Sequence, residues 1–263
     1  MKNYIFNIIA VAILMTIASC EKVVTIDLNS ASPKVVVEGY ITNEPGPYSI
    51  KLSSTANYYD ANVFPPVTGA TVTVSDNVGN SEILTEVIPG TYQTAHLQGV
   101  PGRTYSMNIN SKGNIFTASS TMPPPVPIDS VNFVLSTRNQ TYRIVCKFTD
   151  PAGIENYYKL QVTSNDTFGF DTTSVRIIKD GLADGQELSM SYRTHLLWGD
   201  SVIVKLDCID YNTYEFFNTL PRVSGGISSI LAAPPANPVN NISNGGFGYF
   251  AAYSITRDTT YVH

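Results

Sequence analysis

Residues 201–220 read SVIVKLDCIDYNTYEFFNTL. The first half alternates, so Val202, Val204, Leu206 and Cys208 fall on one face of an extended strand. The second half changes period. Asp210 stands where a helix cap would, and Tyr211, Tyr214, Phe217 and Leu220 follow at intervals of three. That spacing predicts one short helix laid with its apolar side against a sheet. Asp207 and Asp210, which flank Cys208, read as solvated or capping carboxylates.

Outward from this stretch, helical periodicity all but vanishes. Short alternating runs predict strands at 35–40, 48–53, 70–75, 82–87, 90–95, 105–110 and 115–120. The turns between them have a mechanism. Residues 76–80 (DNVGN) tolerate positive φ, and Pro89-Gly90 and Pro101-Gly102 couple a fixed φ to a permissive one. Residues 123–128 (PPPVPI) cannot enter a sheet interior and read as a semi-rigid linker. Strands resume at 130–136, 142–149, 157–164, 174–179, 187–193 and 201–210, and again at 248–255 and 259–262. The expected fold is all-β, with two β-sandwich domains. The first, immunoglobulin-like or transthyretin-like, spans 35–122. The second spans 129–263 and carries the short helix and a long Asn/Gly/Pro-rich loop, 221–246.

The N-terminus names a compartment. Lys2 precedes an apolar run over residues 5–14, and small residues lead to Ala18-Ser19-Cys20. A positive start followed by a short apolar stretch is a secretory signal, and the run is too short to span a membrane comfortably. The ending resembles the bacterial lipobox, in which the cysteine receives a diacylglycerol and becomes the first residue of the mature chain. On that reading 1–19 is a cleaved signal peptide, Cys20 is the lipidation site, 20–34 is a tether, and the protein is held to a membrane by acyl chains, palmitate among them.

Composition excludes some functions. Of 16 basic residues, Lys2 lies in the signal, leaving 15 against 21 acidic ones in the mature body. A mildly acidic chain lacks the basic stripe that nucleic acid requires. There is no G-x-S-x-G elbow, H-E-x-x-H or phosphate-binding loop in the sequence, and His96, His195 and His263 are scattered. The expectation is a non-enzyme without cofactor or metal. A hydrolase would instead require a cleft with converging His, Asp or Glu.

Cys146 shares a strand face with Tyr142, Ile144 and Phe148, as Cys208 does with its apolar neighbours. A Cys146–Cys208 disulfide and two buried free thiols fit this pattern equally well. Aromatic residues crowd the second half, including Tyr157, Tyr158, Trp198, Tyr211, Phe216, Tyr249 and Tyr253. Core packing accounts best for rings at alternating spacing, with sugar stacking or a partner interface as the alternatives.

Several short stretches, taken in order, carry a family resemblance. They are VVVEGYI (35–41), GATVTV (69–74), PGTY (89–92), GRTY (102–105), FTDP (148–151), NYY (156–158) and NPVNNISNGGFGYF (237–250). Together they resemble the Bacteroidota lipoproteins classed as domain of unknown function 4249. The resemblance implies an outer-membrane lipoprotein, often encoded beside TonB-dependent receptors of the SusC-like type. It therefore implies an accessory subunit in nutrient uptake or envelope assembly. It supplies no catalytic residues. A surface adhesin for glycan or protein is the alternative. The expected partner or ligand surface is the helix with the long loop: Tyr211, Tyr214, Phe217, Asn241, Asn244, Phe247 and Tyr249. Surface-exported lipoproteins of this phylum often carry an acidic run after the lipidated cysteine. Here Glu21 is followed by Lys22, Val23 and Val24, so cell-surface and periplasmic faces both fit.

Overall fold

The structure is a computed structural model and describes residues 32–56, 64–136, 141–164, 176–196, 198–223 and 237–263. Cys20, the signal and nearly all of the tether lie outside the described residues, as does 224–236 of the long loop. Residues 33–263 form one compact unit.

The fold is an all-β sandwich. Its strands follow the alternating runs of the sequence: β1 (Val35–Thr42), β2 (Ser49–Ser54), β3 (Thr71–Asp76), β4 (Ser81–Ile83), β5 (Thr85–Ile88), β6 (Thr91–Gln93), β7 (Thr104–Ser111), β8 (Asn114–Thr121), β9 (Ser130–Ser136), β10 (Thr141–Thr149), β11 (Tyr157–Ser164), β12 (Arg176–Lys179), β13 (Glu187–Leu196), β14 (Ser201–Ile209) and β15 (Phe247–Tyr261). One α-helix, α1 (Tyr211–Val223), stands among the described residues, where the change of period predicted it. The run expected at 82–87 divides into β4 and β5, which join different sheets. Leu84, between them, turns into the core. The two strands expected at 248–255 and 259–262 are one continuous β15.

β15 organises the topology. One sheet has the order β12-β11-β14-β15-β1-β2-β6-β5. Along its first half β15 pairs in parallel with β1, from Val36↔Phe247 to Thr42↔Tyr253. Along its second half it pairs antiparallel with β14, from Cys208↔Ser254 to Ser201↔Tyr261. The strands of both halves of the sequence therefore share one sheet. Two smaller sheets, β4-β3-β7-β8 and β13-β10-β9, cover its two ends.

Two apolar cores follow from alternation. In the first, Val37, Ile50 and Leu52 of the long sheet meet Val72, Tyr105, Met107 and Ile109, with Phe250 and Ala252 supplied by β15. In the second, Tyr158, Leu160, Val204 and Leu206 meet Ile144, Phe148 and Met190, with Val262 reaching in from the C-terminus. The proline-rich segment is pinned at both ends. Met122 is buried in the first core and Val126 in the second.

At Phe250, Ala252 and Ile255, side chains bond flanks of β15 that neither β1 nor β14 reaches, as buried backbone groups require. Asn241 Oδ1 accepts from Phe250 N at 3.1 Å, and Asn241 Nδ2 donates to Phe250 O at 2.7 Å. Ala252 N donates to Ser120 Oγ at 2.7 Å. Across the strand, Ile255 N and O pair with Asn43 Oδ1 and Nδ2 at 2.7 and 3.2 Å.

The entry into β15 depends on Gly248. Its φ of +96° suits glycine. A Cβ there would stand 1.9 Å from Val37 O on β1. Gly248→Ala should therefore lower unfolding stability by at least about 2 kcal/mol, from strain and from displaced β1 pairing. Urea denaturation followed by tyrosine fluorescence checks this, and an unchanged midpoint would contradict it.

Candidate functional site

The outward face of the long sheet carries the most unusual chemistry among the described residues. Alternation that turns Tyr158, Leu160, Leu206 and Cys208 into the second core turns Tyr157, Lys159, Asp207 and Ile209 the other way. Such a face is ordinarily solvated. Here α1 lies over it. Asp210 caps the helix by accepting from Thr213 N at 2.8 Å, and its other oxygen accepts from Ser120 Oγ at 2.7 Å. The cap ties the helix start to β8.

The helix brings an aromatic layer. Phe216 and Phe217 stack near Tyr249 at centroid distances of 4.6 and 5.5 Å, and Tyr214 meets Tyr157 at 5.0 Å. Tyr211, at the helix start, lies 5.6 Å from Tyr157 and keeps 56% of its surface exposed. Burial pushes the phenols of Tyr249 and Tyr253 upward, so both stay neutral.

Beneath this layer sits an ion pair. Lys159 Nζ lies 2.9 Å from Asp207 Oδ2, with side-chain exposures of 4% and 0%. Gln161 Nε2 also donates to Asp207 Oδ2, while Asp207 Oδ1 has no hydrogen-bond partner. The ammonium stands 4.6 Å from the Tyr253 ring centre and 4.9 Å from that of Phe217. Burial raises the Asp207 carboxyl, against the opposing pull of Lys159. The reading of Asp207 as a solvated or capping carboxylate is therefore corrected. The helix covers the face to which it points, and Asp210 alone of the two acts as the cap.

A second polar cluster joins two loops. Asp150, Asp180 and Asp184 bring carboxylate oxygens within 4.8 Å of one another, a spacing a hard cation could use. The same carboxylates already accept hydrogen bonds. Asp150 receives Tyr158 OH and Gly185 N, Asp180 receives Asn156 N, and Asp184 receives Gly153 N. These bonds clasp the β10–β11 loop to the β12–β13 loop. Ile154 and Leu182 project from those loops into solvent.

A third feature is an open cavity of about 580 Å³ lined by Asp76, Glu82, His96, Leu97, Gln98 and Arg103, among others. Its carboxylates are tied down. Glu82 accepts from the backbone N–H groups of Ala95, His96 and Leu97. Asp76 accepts from Val78 N, Asn80 N, Asn80 Nδ2 and Arg103 Nη1. Burial works against ionisation, yet these bonds together hold the Asp76 carboxyl at about 2.

The expected surface residues divide. Tyr214, Phe217 and Tyr249 come together in the aromatic layer, with Tyr211 at its rim. Asn241 and Asn244 sit elsewhere, against the edge of β8. There Asn241 Nδ2 reaches Ser119 O, Asn244 Nδ2 reaches Ile115 O, and Ser243 pairs with Thr117. Phe247 opens β15 beside Val36. Cys146 and Cys208 are both buried free thiols. Burial pushes them up to about 12 and about 11 respectively, so neither is a nucleophile near neutral pH. Lys159 and Gln161 were not singled out by sequence reasoning. Their only signal was membership of the strand face opposite the core.

The family model described as "Domain of unknown function (DUF4249)" matches residues 21–259. The chain belongs to this family. No curated protein matches the chain. The DUF4249 match begins one residue after Cys20 and ends within β15, so it takes in α1 and both cores except Val262.

The Asp76 carboxyl gives a pH dependence of definite sign. Its folded value of about 2 lies below the ordinary value of about 3.9 for an unfolded aspartate. The stability it contributes is present above about pH 4 and is lost as pH falls toward about 2. Asp76→Asn should flatten the decline of unfolding free energy over that window, measured by urea titration at stepped pH. Parallel wild-type and variant curves would contradict it.

Proposed function

We propose that this protein is a lipid-anchored binding subunit of the outer membrane, without catalytic function, that partners a TonB-dependent receptor of the SusC-like type in nutrient uptake or envelope assembly. The observation that carries the reading is the N-terminal sequence. A positive start, a short apolar run and Ala18-Ser19-Cys20 support a lipidation signal joined to the fold by the 20–34 tether. The family match starting at residue 21 supports that boundary. Acyl chains contribute about 0.8 kcal/mol per buried CH₂, so a multiply acylated cysteine is a lasting anchor. Among the described residues no helix is long and apolar enough to cross a membrane.

The contact surface in this reading is the rim of the aromatic layer. Tyr211 is exposed there beside Tyr157, and Ile154 and Leu182 stand out from the adjoining clasped loops. Exposed tyrosine and aliphatic side chains of this kind suit a protein partner. The second reading, an adhesin for glycan or protein, draws on Trp198, which is 72% exposed in the turn between β13 and β14. A sugar face could stack on that ring.

Affinity capture of the full-length protein from gently solubilised outer membranes is the test. A receptor barrel should co-purify at stoichiometric level, and Tyr211→Ala should reduce its recovery. Cys20→Ala should release the protein from the membrane fraction. If no barrel co-purifies while glycan binding is found and is lost in Trp198→Ala, the adhesin reading replaces the first.

A further inference from the structure

We propose that Lys159 and Asp207 become joined by an intramolecular isopeptide bond that cross-links β11 to β14 beneath α1. The two residues are direct cross-strand partners, Lys159↔Asp207, in the register of the long sheet. Nζ lies 2.9 Å from Oδ2, an oxygen on the carbon it would attack, and both side chains are almost wholly removed from solvent. Groups held this close react as though at very high concentration, because the entropy of bringing them together has already been spent in folding.

The surroundings favour the reactive form of the pair. Two opposite charges buried together suffer a desolvation cost that their attraction does not always offset. Transfer of one proton from Nζ to the carboxylate removes both charges and leaves an amine beside a carboxylic acid. The raised Asp207 carboxyl points the same way. Phe217 and Tyr253 close over Nζ at 4.9 and 4.6 Å, which keeps bulk water from the carbonyl carbon. The Gln161 side chain donates to Oδ2, so that oxygen is stabilised as charge develops on it. Oδ1, which has no partner, is the oxygen free to depart.

The step balances without any redox partner. The Nζ lone pair forms a bond to Asp207 Cγ. The Cγ–Oδ1 bond breaks, and Oδ1 leaves as water, carrying the proton first passed to the carboxyl and one of the two protons left on the amine, while the other stays as the amide N–H. The product is a neutral secondary amide where two charges had been buried. In this scheme Gln161 is a positioning residue that holds and polarises Oδ2.

Proteolysis of the full-length protein under denaturing conditions decides the matter. Trypsin should fail to cut after Lys159. Mass spectrometry should find one branched species, residues 148–176 joined to 206–222, lighter than the two peptides together by one water. Asp207→Ala should restore cutting after Lys159 and abolish the branched species. Gln161→Leu should slow its accumulation in a time course after refolding. If the wild-type protein gives only the linear peptides 148–159 and 206–222, the pair is a salt bridge and the proposal fails. This outcome is independent of membrane anchoring and receptor capture.

Discussion

A fifteen-residue strand with a different neighbour along each half must find hydrogen-bond partners for both of its flanks. That constraint shapes the rest of this fold. β15 lies beside β1 where the N-terminal strands need a neighbour, and beside β14 where the C-terminal strands need one. Where β1 stops, Asn43 takes over. Where β14 stops, Asn241 and Ser120 do. Each substitute is a side chain imitating a strand. Backbone groups of Phe250, Ala252 and Ile255 are thus paired in the interior of the molecule, where an orphan group would cost about 1–3 kcal/mol.

The same strand supplies side chains to three places. Phe250 and Ala252 enter the first core, Val262 just past its end enters the second, and Ala251 and Tyr253 face outward under α1. The outward face would be ordinary solvated sheet if the helix were absent. Asp210 fixes the helix start to β8, and Phe217 of α1, with Tyr253 of β15, then closes over Lys159 beside Asp207. A buried charge pair is weak support for stability and needs a reason for its place. Covalent joining of the two side chains would give one. It would also lock β11 to β14 beside the seam that β15 forms.

Much of the fold was legible in the sequence because alternation is a local property. Val202, Val204, Leu206 and Cys208 declare a core face without reference to any other strand. Asp210 with Tyr211, Tyr214 and Phe217 declares the helix in the same way. Pairing partners are not local. Nothing within 35–41 says that its neighbour begins at Phe247, and a turn-rich sequence broken by Pro123-Pro124-Pro125 reads naturally as two units. The candidate site was half legible for the same reason. Rings at helical spacing were visible as a cluster, whereas Lys159 drew no notice and Asp207 read as a solvated or capping carboxylate. Their burial follows from where α1 folds back. Asn241 and Asn244 drew notice as members of a long polar loop, yet the structure uses them to finish β15 and to cover the edge of β8.

Amide hydrogen exchange along β15, read residue by residue, tests most directly whether this strand welds the two halves. If it does, amides from Phe250 to Thr260 should exchange together, at the slow rate set by global unfolding. Rapid exchange over 247–253 with continued protection over 254–261, or the reverse, would show that the halves open independently and would contradict the account.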